Sequence, residues 1–183
     1  MTLPDPELHE ALAARADVLL SWDEERGEAS ATIAPEALLD TCAWLREMHG
    51  FARLSDITAV DTLVYPVAMP GQIARGTPRF GVVYHLAVRP PGTTRLRLRV
   101  FVPESEAVVP SIVPLWTGAN FFEREIYDLM GVTFIGHPDM RRIMMPEEWI
   151  GHPLRKDMSI GGEPVEFTHT VDAITRNRRK ANA

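Results

Sequence analysis

Two histidines stand in matching short sequences, Gly136-His137-Pro138 and Gly151-His152-Pro153. Imidazoles near carboxylates invite metal chemistry, and Asp139, Glu147, Glu148 and Asp157 are at hand as oxygen ligands. The spacing gives that reading little support. Fifteen residues separate the histidines, with no helical i, i+4 spacing and no CxxC partner. A proline restricts the residue before it, so the alternative is a pair of structural turns. A second cluster, Glu123-Arg124-Glu125 with Tyr127 and Asp128, offers carboxylates for general acid–base work. On a helix Glu123 and Glu125 point in different directions. A polar helix face bonded to a neighbouring chain explains the same residues. A third cluster, Arg141-Arg142 followed by Arg155-Lys156-Asp157, offers guanidinium forks for an anion. No Gly-rich loop supports a phosphate there, and arginines meeting carboxylates across a protein interface are the simpler reading. Nucleophile elbow, Walker motif, dinucleotide fingerprint and HExxH are all missing from the sequence. Residue types and spacing therefore yield no reaction.

The elements that must position these residues are clearer. Residues 114–130 read as a helix in which Leu115, Ala119, Phe122, Ile126 and Leu129 form one buried stripe. Gly131 ends it, and Arg124 and Asp128 are expected to pair on its exposed side. Upstream, helices are expected over residues 5–20 and 35–49, the second opened by Pro35 and closed by Gly50. Leu38, Leu39, Cys42, Leu45 and Met48 make the stripe of that second helix, so Cys42 reads as a small core residue. A strand is expected over Glu28 to Ile33 and another near Ile57, Ala59 and Leu63, with a loop at Pro66, Pro70 and Gly71. Alternation then predicts a hairpin. Val82, Tyr84, Leu86 and Val88 face a core, as do Leu96, Leu98, Val100 and Val102 after a turn at Pro90-Pro91-Gly92. His85, Arg95, Arg97 and Arg99 fall on the other, polar face, read as solvated or as a grip for an acidic partner.

Residues 133–183 show no convincing period of either kind, yet carry Phe134, Ile135, Met140, Ile143, Met144, Met145, Trp149, Ile150 and Leu154. Such side chains are costly to leave in water. The segment either folds back over its own domain or lies on another protein. The fold expected is α+β, helices packed on a mainly antiparallel sheet in two layers, with an extended irregular C-terminal arm. Residues 1–132 form the domain and 133–183 a partner-binding arm.

Composition bounds the rest. The chain has 183 residues, 45% apolar and 24% charged, with one cysteine. One cysteine forms no internal disulfide and ligates no iron–sulfur cluster by itself. No apolar run approaches the ~20 residues that span a bilayer. The net charge is −6, and residues 1–30 hold eight acids against two bases. An acidic start is unlike an organellar transit peptide, and a cytoplasmic location is expected. Nothing global suggests nucleic acid; the one basic cluster is Arg176, Arg178, Arg179 and Lys180.

The run from Phe121 to Asp157 closely resembles the signature of the thirty-kilodalton subunit of NADH–quinone oxidoreductase, respiratory complex I. The matching positions are Glu123, Arg124, Glu125, Asp128, Leu129 and Gly131, then Phe134 and Gly136-His137-Pro138. Arg141, Arg142, Ile143 and Trp149 follow, then Gly151, His152, Pro153, Leu154, Arg155, Lys156 and Asp157. Pro164-Val165-Glu166-Phe167 resembles the stretch that comes next in the family, and Met130 departs from it where a Phe is common. The resemblance implies a structural subunit of the peripheral arm, on the cytoplasmic side of the bacterial membrane. It implies contact with the quinone-site subunit, which is hydrogenase-large-subunit-like, along the C-terminal arm. The small subunit bearing the terminal iron–sulfur cluster lies nearby, with other peripheral-arm subunits around. Family members carry no cofactor; NADH, quinone, FMN and the iron–sulfur clusters belong to other subunits or to the whole complex. Membrane contact comes only through that complex, which couples NADH-to-quinone electron transfer to proton translocation. The equivalent subunit of a membrane-bound hydrogenase or F420H2 dehydrogenase shares parts of the signature.

Overall fold

The computed structural model of the chain describes residues 6–15, 18–63, 78–88 and 94–158. The loop expected at Pro66, Pro70 and Gly71, the turn Pro90-Pro91-Gly92, the segment 164–167 and the C-terminal basic cluster lie outside the described residues.

Alternation of apolar side chains builds the central hairpin. Strand β4 (Phe80–Ala87) pairs antiparallel with β5 (Arg95–Val102), Tyr84 opposite Leu98 and Leu86 opposite Leu96. On one side β3 (Arg53–Asp61) pairs antiparallel with β4. On the other, β2 (Glu28–Ile33) lies parallel to β5, and β1 (Leu19–Glu25) closes the sheet antiparallel to β2. The order is β1-β2-β5-β4-β3. The single parallel pair joins strands distant in sequence; every other pairing in this sheet is antiparallel, as expected.

Helices α1 (Pro6–Ala13), α2 (Leu38–Met48) and α3 (Ala119–Met130) supply the core's other layer. Leu8 and Leu12, Leu38, Cys42 and Leu45, and Ala119 and Ile126 are buried with Ala31, Ile33, Tyr84, Leu86, Leu98 and Val100. Each buried Leu or Ile contributes ~1.5–3 kcal/mol relative to exposure. The structure is thus α+β, with helices on a mainly antiparallel sheet. A second sheet of two short strands, β6 (Val108–Pro110) and β7 (Thr133–Ile135), is parallel. Three-residue strands leave no period to read in a sequence.

Several boundaries differ from the sequence expectation for physical reasons. The first helix stops at Ala13, because Leu19 onward pairs with β2 and Trp22 stacks on His9 with ring centroids 4.8 Å apart. Helix α2 opens on the turn at Pro35–Ala37 as expected, but Met48 is 71% exposed rather than part of the buried stripe. Leu63 lies beyond β3 and is exposed. Helix α3 begins at Ala119, not 114. Residues before it form a tight turn in which the Leu115 and Trp116 N–H groups donate to Ile112 O, and the Trp116 indole donates to Ala52 O.

Candidate functional site

Helix α3 carries the first part of the charged signature. Its apolar stripe holds as expected at Ala119 and Ile126, which are buried, with Phe122 and Leu129 half-buried. Two acids share the buried side. Glu123 and Asp128 are both fully buried, whereas Glu125 is exposed.

Asp128 organises the backbone of residues 142–151. Its Oδ2 accepts three consecutive backbone N–H bonds, from Ile143 at 2.9 Å, Met144 at 2.7 Å and Met145 at 2.9 Å. Arg142 donates to Oδ1 at 3.0 Å and to Gly151 O at 3.1 Å. Burial alone would favour the neutral acid. The three N–H donors and the Arg142 guanidinium outweigh it and hold the carboxyl below the usual range. The exposed Arg124–Asp128 pair expected from their spacing does not form. Arg124 donates instead to Arg141 O at 3.0 Å, and its guanidinium lies over the Phe121 ring.

The helix end binds the second signature run. Gly131 caps α3 at φ +76°, a conformation that suits glycine. His152 Nδ1 sits 2.9 Å from Asp128 O, Leu154 N–H donates to Leu129 O at 3.0 Å, and Arg155 Nε donates to Met130 O at 2.7 Å. The last carbonyls of α3, which have no helical partner, are therefore capped from residues 152–155. A Cβ on Gly131 would collide with Arg155 and His152.

Beyond this cap, Lys156 N–H and Asp157 reach the end of β3. Asp61 is fully buried there and accepts from Arg79, from Leu63 N–H at 3.0 Å and from Lys156 N–H at 2.9 Å. Burial opposes its ionisation, but Arg79 and those N–H groups win and lower its pKa. Arg79 also binds Glu104 at 2.6 Å and Asp157 at 2.8 Å. Arg79 and Asp61 carry no motif, and only the fold, which closes a 78-residue separation from Arg79 to Asp157, brings them to the signature.

The remaining signature residues are local. Arg141 grips Asp139 through two bonds of 2.7 and 2.6 Å. Asp139 N–H donates to His137 Nδ1 at 3.0 Å, which leaves Nε2–H to donate to Asn120 O at 3.2 Å. Gly136 and Gly151 adopt positive φ, so each Gly-His-Pro is a turn, with Pro138 and Pro153 completing it. Both histidines are engaged by the backbone. Among the described residues no group of three or more His, Cys, Asp and Glu is arranged to hold a metal. Trp149 is half-buried and closes a turn onto Pro146 O.

Glu123 stands apart from this cluster. Its carboxyl accepts from Ile112 N–H at 2.8 Å and lies 2.6 Å from Ser111 Oγ. Burial pushes its pKa up to about 7 against these two bonds.

The segment 133–158 thus lies on its own domain, yet presents apolar side chains outward. Met144 is 62% exposed, Ile150 90% and Leu154 52%. With Asp128 and Arg142 fixing the backbone, the outward face of Ile143–Met144 is preorganised. The arrangement holds an apolar surface in place.

The chain matches the family described as respiratory-chain NADH dehydrogenase, 30 Kd subunit, over residues 31–164. It is 42% identical to the C subunit of NADH-quinone oxidoreductase from Geobacter sulfurreducens, across 79% of this chain and 82% of that one. A solved structure of the trypsin-resistant fragment of Nqo5 is similar at 34% identity and TM-score 0.62, covering 73% of this chain and 96% of that one. A chain of an archaeal membrane-bound sulfane sulfur reductase shares the fold, at 21% identity and TM-score 0.61 over 84% of this chain and 85% of that one.

Proposed function

The chain belongs to the family of the 30 kDa subunit of respiratory-chain NADH dehydrogenase, and from that premise we propose that it is a structural subunit that binds the quinone-site subunit of the complex. The observation that carries this reading is the exposure of Met144, Ile150 and Leu154 in a segment whose backbone is bonded to Asp128 at residues 143–145. Exposed apolar residues on a rigid segment suit a buried protein interface. The subunit's contribution is to hold its neighbours; NADH, FMN, quinone and the iron–sulfur clusters stay with other subunits. No helix among the described residues is long and apolar enough to cross a membrane. In this reading the chain meets the membrane through the complex, on the cytoplasmic side, and the small terminal iron–sulfur subunit lies nearby.

The test is assembly. Ile150→Asp and Met144→Asp alter exposed side chains and leave the fold intact, checked by circular dichroism. The double variant is expected to lose co-purification with the hydrogenase-large-subunit-like subunit after mild detergent extraction of membranes. Wild-type recovery of that subunit would overturn the reading. Complexes that do form with a single variant are expected to turn over normally; formed complexes without turnover would assign the segment a catalytic part instead.

A further inference from the structure

The face of the sheet away from the helices carries a ladder of arginines. Arg95, Arg97 and Arg99 alternate along β5 with the buried Leu96, Leu98 and Val100. The two inner rungs are neutralised within the chain. Arg97 binds Glu28 at 2.6 Å and Ser30 at 3.2 Å, and Arg99 binds Asp23. The outer rung is different. Arg95 lies opposite Ala87, which lies opposite Arg53 of β3, so the two arginines flank a small side chain on one face. Both are exposed, and neither is in a salt bridge among the described residues.

Between them opens a cleft of about 360 Å³, floored by Ala87 and His85 and bounded by Arg53, Arg95, Arg97 and Asp56. We propose that this cleft docks an acidic polypeptide segment of another subunit, with Arg53 and Arg95 each taking one carboxylate. Three observations favour a polypeptide. The family membership makes the chain part of a protein assembly, and the choice of a protein partner rests on that membership rather than on the quinone-site reading. Arg53 and Arg95 stand two strand spacings apart, ~10 Å, which suits two separate carboxylates better than one phosphate. Among the described residues no helix N-terminus lines the cleft, the usual means of holding phosphate. The groups facing it are mixed: Glu28 is occupied by Arg97, Asp56 opposite His85 adds one negative charge, and the two positive charges of Arg53 and Arg95 outweigh it. Burial and the neighbouring Arg97 keep the His85 imidazole neutral to lower pH than usual, so it adds hydrogen-bonding capacity rather than charge.

The full chain is titrated with fluorescein-labelled hexaglutamate at low salt, followed by fluorescence anisotropy. Saturable binding is expected, weakened at least about tenfold in the Arg53→Gln, Arg95→Gln double variant and little changed in Arg26→Gln, whose exposed side chain lies beside Glu25 and outside the cleft lining. Raising salt to ~0.15 M should weaken it further. Equal binding by the double variant would overturn the site. So would equal binding of hexaglutamine, or displacement of the peptide by equimolar inorganic phosphate, which would mark a small-anion site. Association of the chain with anionic vesicles lost in the same double variant, without peptide binding, would assign the face to membrane and overturn it too. None of these readouts depends on Met144 or Ile150, so failure here is distinguishable from failure of the quinone-site reading.

Discussion

Among the described residues, the buried Glu123 carboxyl has two hydrogen-bond partners and no cation beside it. An acid so placed makes stability depend on pH in a direction opposite to that of Asp128. Unfolded, the carboxyl ionises near 4.5; folded, it holds its proton to about 7. Between those values the folded state binds more protons, so stability falls as pH rises through that window. Glu123→Gln keeps the shape and both bonds but cannot ionise. Its urea-unfolding free energy, measured against that of the wild type, should shift in the variant's favour by up to about 3 kcal/mol between pH 5 and pH 8. A constant difference across that range would mean that Glu123 ionises in place without cost. The sequence shows Glu123 and Glu125 pointing apart, but not which one is buried. That depends on Ser111 and Ile112, whose turn before α3 has no periodic signal.

At the scale of elements, the end of α3 and the turn at residues 152–155 form one unit, with Gly131 as the point of closest approach. Gly131→Ala places a Cβ where Arg155 and His152 pack, at a positive φ that costs ~1 kcal/mol or more for alanine. The expected result is release of that turn: trypsin should cut at Arg155 and Lys156 faster than in the wild type, while the sheet keeps its circular dichroism. Unchanged cutting would show that the turn does not need the contact. The turn signals that reveal Gly131 as a helix stop were legible, and so were the faces of β4 and β5, because both follow from local periodicity. The contacts of Asp128 were not. A spacing of four to Arg124 favours an exposed pair worth ~0.2–0.5 kcal/mol, whereas three backbone N–H groups and Arg142 satisfy a buried charge. Non-local partners of that kind leave no trace in the spacing of residues 124–128. Arg79 and Asp61 escaped for the same reason.

For the whole molecule, the described part of the C-terminal segment is structural as well as outward-facing. It supplies buried Phe134, all the described hydrogen-bond partners of the Asp128 carboxylate, and one carboxylate on Arg79. A chain ended after Gly131 should therefore lose ~3–5 kcal/mol, because a buried carboxylate is left without its partners. The comparison is with the full chain, by urea unfolding. Equal stability of the two would mean that the domain relaxes around Asp128 on its own. The parallel pairing of β2 with β5 has a consequence for the order of events in folding. Strand β5 is the middle of the sheet, yet it must close a loop back to residues 28–33 before β1 and β2 gain a core. The chain entropy of that closure precedes its reward, which slows folding relative to a sheet built only from neighbouring strands. During synthesis on the ribosome, β5 emerges well after the β1–β2 ribbon it must join, and the partners of Asp128 emerge later still.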